Sequence, residues 1–116
     1  MIPYQELTVW KKAVAFSIAI YSETKKFPEE EKFGLISQMR RAAVSIPSNI
    51  AEGSKRGTIK DYASFLRIAH GSGAELETQL IIGKELQYVH PEAFIHLQSD
   101  LNEIMSMLGS MLKKLH

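Results

Sequence analysis

Apolar side chains recur at every third or fourth position along most of the chain, which is the spacing of one face of an α-helix. The pattern is clearest near the C-terminus, where the apolar positions are Phe94, Leu97, Leu101, Ile104, Leu108, Met111, Leu112 and Leu115. Pro91 suits a first helical turn, where its missing N–H costs nothing, and it favours an extended backbone at His90. We therefore predict a helix over about residues 91–114.

A second stripe of the same spacing predicts a helix over about residues 59–88. Its members are Tyr62, Phe65, Leu66, Ala69, Gly73, Leu76, Leu80, Gly83 and Leu86. Thr58 is placed to cap this helix, with Asp61 completing a start that resembles a capping box. Small residues fill positions 71–74, and glycine costs about 1 kcal/mol against alanine inside a helix. We expect a neighbouring backbone to approach closely there.

The N-terminal half predicts two more helices, over about residues 5–26 and 28–55. The second begins among the acidic residues 29–31, which suit the positive end of a helix dipole, and Gly53 and Gly57 bracket its end. The first helix is predicted to face the core with Leu7, Trp10, Val14, Ser17, Ile18 and Tyr21, and the second with Leu35, Ile36, Met39, Ala43, Ile46 and Ile50.

Four helices with short connections predict an all-α fold, an antiparallel up-down-up-down four-helix bundle. We expect one domain over residues 1–116, and strands are not expected because period-two alternation is absent. Several apolar residues lie off the stripes, namely Phe16, Ile20, Ile68, Ile81, Ile82, Ile95 and Met107. Helices that are apolar on a second face favour self-association, and scattered surface hydrophobes are the alternative.

Pro47 stands inside the second helical pattern. Proline has no N–H, and its ring crowds the carbonyl four residues earlier, that of Ala43, so we expect the helix to bend at Pro47. The polar residues beside it can satisfy freed backbone groups, and the motif that we single out comprises Ser45, Pro47, Asn49, Glu52 and Gly53.

Basic side chains gather around this motif, although the net charge of the whole chain is only +1. They are Arg40, Arg41, Lys55, Arg56, Lys60 and Arg67. A local basic patch can bind RNA or DNA through backbone phosphates without reading the base sequence. The alternative is a solvated rim, with ion pairs to Glu52, Glu75 or Glu77. Lys55 and Arg56 also suit the negative C-terminal end of a helix for purely structural reasons.

Other classes of function find no support in the residues. The chain has no cysteine, which rules out thiol chemistry and suits a reducing cytoplasm, and it has no apolar run of about 18 residues that would span a membrane. Glutamate is nowhere followed by histidine three residues later, as a di-iron bundle requires, and residues 53–57 lack the spacing of a phosphate loop. We expect a non-enzymatic cytoplasmic protein without a catalytic, metal or cofactor site.

Three stretches resemble one bacterial family: Tyr4-x-x-Leu7-x-Val9-Trp10-Lys11, then residues 37–53 with the string Ser-Ile-Pro-Ser-Asn-Ile-Ala-Glu-Gly, then residues 68–80. The family comprises four-helix-bundle proteins that are encoded in intervening sequences of 23S rRNA genes. The accessory variability proteins of diversity-generating retroelements are similar to it. The resemblance implies assembly into a pentameric ring. In the retroelement branch it also implies binding to RNA or DNA and to a reverse transcriptase.

By position, Arg40 and Arg41 match the family's paired arginines, and the other four basic residues lie where members tend to be basic. Two hypotheses follow. In the first, the chain is an oligomeric bundle that binds RNA or DNA backbone through the basic patch. In the second, it is a structural or adaptor ring that recruits a protein partner, such as a reverse transcriptase, without a nucleic-acid role of its own.

Overall fold

The computed structural model describes residues 2–115, and four helices make up most of them. These are α1 (Thr8–Thr24), α2 (Leu35–Ser54), α3 (Ile59–Glu85) and α4 (Pro91–Lys114). Consecutive helices pack against each other and α4 closes against α1, in a body of 43 × 24 × 20 Å. The predicted all-α up-down bundle is confirmed.

Two predicted helix starts were wrong because short 3-10 turns stand where regular helix was expected. The turn Tyr4–Glu6 precedes α1, and the turn Glu29–Glu31 precedes α2. Gly34, with φ −109° and ψ −114°, separates the second turn from α2. The Leu35 N–H donates to the Glu31 carboxylate at 3.1 Å, so this acidic turn caps α2 from outside rather than forming its first turn.

The α3 boundaries are close to those predicted. The Asp61 N–H donates to the Thr58 hydroxyl at 3.1 Å, which confirms the predicted cap. The helix ends at Glu85 rather than near residue 88, because Gln87 has a φ of 64° and reverses the chain.

The face that α1 presents to the core was predicted only in part: Ser17 is buried and Leu7 and Trp10 pack against the core, but the main buried stripe was misplaced. Ile20 is fully buried and Phe16 is 3% exposed, whereas Ile18 is 66% exposed. The buried stripe runs from Val9 through Ala13, and the two stripes share the same helical spacing. The buried stripe contains the small residue Ala13, so the predicted stripe, which contains Ile18, looked the more hydrophobic of the two in the sequence.

The bundle interior is apolar and closely packed. Its largest fully buried side chains include Ile20, Met39, Ile46, Ile50, Leu66, Leu76, Leu80, Leu101, Ile104 and Leu108. Gly73 lies against the Met105 side chain of α4: a Cβ there would lie 2.1 Å from the Met105 sulfur, so that side chain would have to shift. A Cβ at Gly71 would meet nothing within 4 Å, so of these two glycines only Gly73 has a close neighbour, and it is a side chain rather than a backbone.

α2 continues through Pro47 without interruption, and the bend at this residue stays a prediction. Pro47 cannot donate to the Ala43 carbonyl, and the hydroxyl of Ser17 on α1 lies 3.0 Å from that oxygen instead. The same hydroxyl lies 2.9 Å from the Ala13 carbonyl, so its single hydrogen is shared between two acceptors. A buried side chain of one helix thus replaces the donor that the next helix lacks.

No helix within residues 2–115 combines the length and the apolar character that crossing a bilayer would require.

Candidate nucleic-acid interface

The four-residue connection between α2 and α3, together with the start of α3, holds three of the predicted basic residues. Lys55 and Arg56 follow the last residue of α2, and Lys60 is the second residue of α3; all three are exposed. Gly57, with a φ of 90°, allows the reversal. Gly53 lets the two helices approach, because a Cβ there would lie 2.8 Å from the Phe65 Cβ.

Arg56 is held in place by two contacts. Its guanidinium pairs with the Glu52 carboxylate at 3.0 Å and lies 4.9 Å from the centre of the Phe65 ring. Both charged groups remain about half exposed, so the pair adds little stability. Glu52 therefore orients the Arg56 cation at this connection, and this pair is among the ion pairs expected as the alternative to a binding patch.

The antiparallel topology brings more cations to the same end of the bundle. Lys55 lines a surface groove together with Tyr4, and Lys114 lines another with residues 7–9, so the start of α1 and the end of α4 meet the connection here. We call this surface the basic end; its cations are Lys11, Lys55, Arg56, Lys60, Lys113 and Lys114. The acidic residues nearest in sequence to these cations are Glu6, Glu52 and Asp61.

Sequence reasoning missed Lys11, Lys113 and Lys114, which lie far along the chain from the proline motif. The predicted up-down topology could have identified these three lysines, because it places the N-terminus of α1 and the C-terminus of α4 beside the α2–α3 connection. The helix dipoles contribute little net field here, since two positive and two negative ends meet. The positive character of the basic end comes from side chains.

Arg40 does not belong to this surface. Its Nε donates to the Thr24 hydroxyl at 2.9 Å, another guanidinium nitrogen lies 3.3 Å from the Tyr21 carbonyl, and the group stacks 4.6 Å from the Tyr21 ring centre. These contacts satisfy the C-terminal end of α1, where carbonyls carry partial negative charge. The donors predicted to bind phosphate are thus used within the bundle.

Arg41 and Arg67 are exposed but stand apart from the basic end. Lys55 follows Arg41 by fourteen positions along the axis of α2, which is about 21 Å at the helical rise. Arg67 follows Lys60 by two turns of α3, about 10 Å. The six predicted residues therefore divide into a cluster of three, one neighbour at Arg67, one exposed cation at Arg41 and one structural arginine at Arg40.

The polar residues around Pro47 tie α2 to α3. The Asn49 amide donates to the Ser45 carbonyl at 2.7 Å and to its hydroxyl at 2.9 Å. The Ser45 hydroxyl in turn lies 2.8 Å from that of Ser72 on α3. These hydrogen bonds therefore tie the Pro47 segment to α3 and orient the helix pair.

Titratable groups within residues 2–115 include two whose shifted pKa has a clear structural cause. No cluster of three potential metal ligands occurs in this part of the chain. The Lys12 ammonium pairs with the Glu103 carboxylate between α1 and α4, and this hydrogen bond raises the lysine pKa. Burial raises the pKa of Tyr62, which lies beside the α2–α3 connection.

Comparison with known proteins agrees with this architecture. Residues 5–110 match the model of a family described as 23S rRNA-intervening sequence protein. The fold is also similar to the crystal structure of a protein of unknown function from the S23 ribosomal protein family of Bacteroides thetaiotaomicron. That match has 28% sequence identity and a TM-score of 0.84, and it covers 90% of this chain and 95% of the other. No curated protein matches the sequence.

Proposed function

Since this chain belongs to the 23S rRNA-intervening sequence protein family, we propose that it is a non-enzymatic protein that binds the phosphate backbone of RNA or DNA. The observation that carries the proposal is the basic end, where cations from α1, α3, α4 and the α2–α3 connection gather at one end of the bundle. Lysines on flexible stems suit contacts with phosphates, which position a nucleic acid without reading its bases.

The proposed interface differs from the patch expected from sequence. Lys55, Lys60 and Lys114 make no ion pair within the described chain, and Arg56 is oriented by Glu52 while staying half exposed. A few such contacts release counterions and give salt-dependent, sequence-independent affinity. Arg40 has no role in this interface, because its guanidinium already serves α1.

Self-association completes the proposal. Ile68, Ile81, Ile82 and Leu86 leave about half of their surface exposed on and just beyond α3, and Ile95 on α4 is 64% exposed. Gly71 also lies on α3, and a Cβ there would contact nothing within 4 Å in the single chain. A second copy could therefore approach the helix closely at Gly71. A pentameric ring, which the family resemblance implies, would repeat the basic end and raise affinity through avidity.

A charge-matched pair of variants tests the position of the interface. We expect Lys55→Gln with Lys60→Gln to weaken binding to a structured RNA, measured by fluorescence anisotropy, because both removed charges lie at the basic end. The control, Lys25→Gln with Lys84→Gln, removes the same charge from the opposite end of the bundle. Equal weakening by both pairs would show only general electrostatic attraction, and no binding by the wild-type protein would refute the proposal.

The exposed isoleucines favour a second candidate, an adaptor ring that recruits a protein partner such as a reverse transcriptase. This function would depend on apolar surface rather than on the basic end. The Lys55→Gln, Lys60→Gln protein should then keep its protein partner in a pull-down with purified components, and Ile68→Ser should lose it. Light scattering on both variants separates loss of the partner from loss of the ring.

A further inference from the structure

A second surface, remote from the basic end, has the composition of a ligand site. A groove of about 520 Å³ lies along the outside of α2 and α3, and its walls are mostly polar. The groove is lined by Phe33, Ser37, Gln38, Arg41, Ser45 and Glu75, among others. Ser45 is already bonded within the bundle, whereas Gln38 and Arg41 have no side-chain partner among the described residues.

Phe33 is the least expected member of this groove. Its side chain is 90% exposed, the highest value among the large apolar residues of the described chain. It stands in the turn before α2, where no core contact requires an aromatic ring, and the Lys32 ammonium lies 5.5 Å from the ring centre. An exposed ring with a lysine beside it, in a groove that an arginine also lines, matches the way single-stranded nucleic acids are held, by base stacking with nearby cations.

The walls of the groove distinguish between two kinds of occupant. The core of a contact between protein copies is apolar, with few charged groups. Here serines, an amide, a guanidinium and a carboxylate line the same groove as one aromatic ring. This lining suits a ligand that has a flat apolar face and polar edges. An unpaired nucleotide has both features, because its base presents a stacking face and an edge of donors and acceptors.

We propose that this groove binds one unpaired nucleotide of a single-stranded region, with the base stacked on Phe33 and its phosphate at Arg41. Gln38 and Glu75 are positioned on the walls to meet the base edge, and a carboxylate there accepts from an exocyclic amine, as on adenine. The inference rests on the proposed nucleic-acid function and adds to it a site that recognises bases, about 21 Å along α2 from Lys55.

Two short single-stranded RNAs test the site, one with a central adenine and one with an abasic position at the same place. Their phosphates are equal in number, so any difference in affinity reports the base. We expect the wild-type protein to prefer the adenine RNA and Phe33→Ala to bind it roughly tenfold more weakly, at the level of the abasic RNA. Ile18→Ala, which removes another exposed apolar side chain, should keep the preference.

Phe33→Trp gives a second readout that does not depend on loss of binding. Its added fluorescence, after subtraction of the wild-type signal from Trp10, should be quenched by the adenine RNA and not by the abasic RNA. Equal affinity of the wild-type protein for both RNAs would overturn the base site and leave the phosphate interface intact. Failure to bind either RNA would overturn both proposals.

A change in mass by light scattering for Phe33→Ala, with the RNA preference unaltered, would assign Phe33 to a contact between copies and likewise overturn the base site.

Discussion

The hydroxyl of Ser17 replaces the backbone donor that Pro47 removes from α2, and this exchange can be measured. Ser17→Ala leaves the Ala43 carbonyl without its side-chain donor in a buried site, where the serine is 8% exposed. An unsatisfied buried carbonyl costs about 1–3 kcal/mol. We expect urea unfolding, followed by circular dichroism at one fixed protein concentration, to show a loss of that size with an unchanged m value.

A double-mutant cycle isolates the coupling between the two residues. In a Pro47→Ala background the new backbone N–H can donate to the Ala43 carbonyl, so the serine is no longer needed there. Ser17→Ala should then cost less by about 1 kcal/mol or more. Pro47 is itself buried, so its replacement also loses packing, but that loss is common to both sides of the cycle and cancels.

The matched control is Ser22→Ala, which removes an exposed hydroxyl from the same helix and should leave stability within about 0.5 kcal/mol of the wild type. An equal cost of Ser17→Ala with and without Pro47 would refute the reasoning, because the hydroxyl would then be serving only α1 or the packing of its surroundings.

Three further predictions concern packing and titration. Gly73→Ala should destabilise the bundle by about 1–3 kcal/mol in thermal unfolding, because the Met105 side chain fills the space that the new methyl group needs. Gly71→Ala should leave the stability of the monomer unchanged or raise it. Equal effects of the two substitutions would contradict the packing described. Ile20→Ala should cost about 2–5 kcal/mol and Ile18→Ala less than about 1 kcal/mol, and the reverse order would restore the face predicted from sequence. The raised pKa of Tyr62 means that the fold favours the neutral phenol, so its contribution is complete below the ordinary value of 10.0 and is lost as pH rises through the higher folded value. Tyr62→Phe should therefore reduce the loss of stability in urea titrations above pH 10, and an unchanged alkaline profile would exclude this role.

Helix existence and bundle topology could be predicted because both depend on long periodic patterns. The α4 stripe, the Thr58 cap and the core positions of α2 are local signals that tertiary packing reinforces. The inner face of α1 could not be chosen in this way, because Ala13 is too small to mark a buried stripe against Ile18. The buried face of α1 depends on how this helix packs against α2 and α4, and helical periodicity carries no information about that packing.

The site was harder to predict because charges near one another in sequence separate in space. Arg40 and Arg41 are adjacent, yet one is bonded to α1 and the other lines an outer groove, as a helical turn of 100° per residue allows. Lys114 reaches the basic end only through the antiparallel packing of α4 on α1. Phe33 escaped notice because exposure cannot be read from residue type alone.

The salt dependence of RNA binding is the decisive measurement for the basic end. Each phosphate contact contributes about 0.7–0.9 to the slope of log affinity against log salt, so Lys55→Gln with Lys60→Gln should make the slope shallower by about 1.4–1.8. The pair Lys25→Gln with Lys84→Gln should leave it unchanged. A wild-type slope near zero, or one that the Lys55 and Lys60 substitutions do not alter, would show that these lysines contact no phosphate.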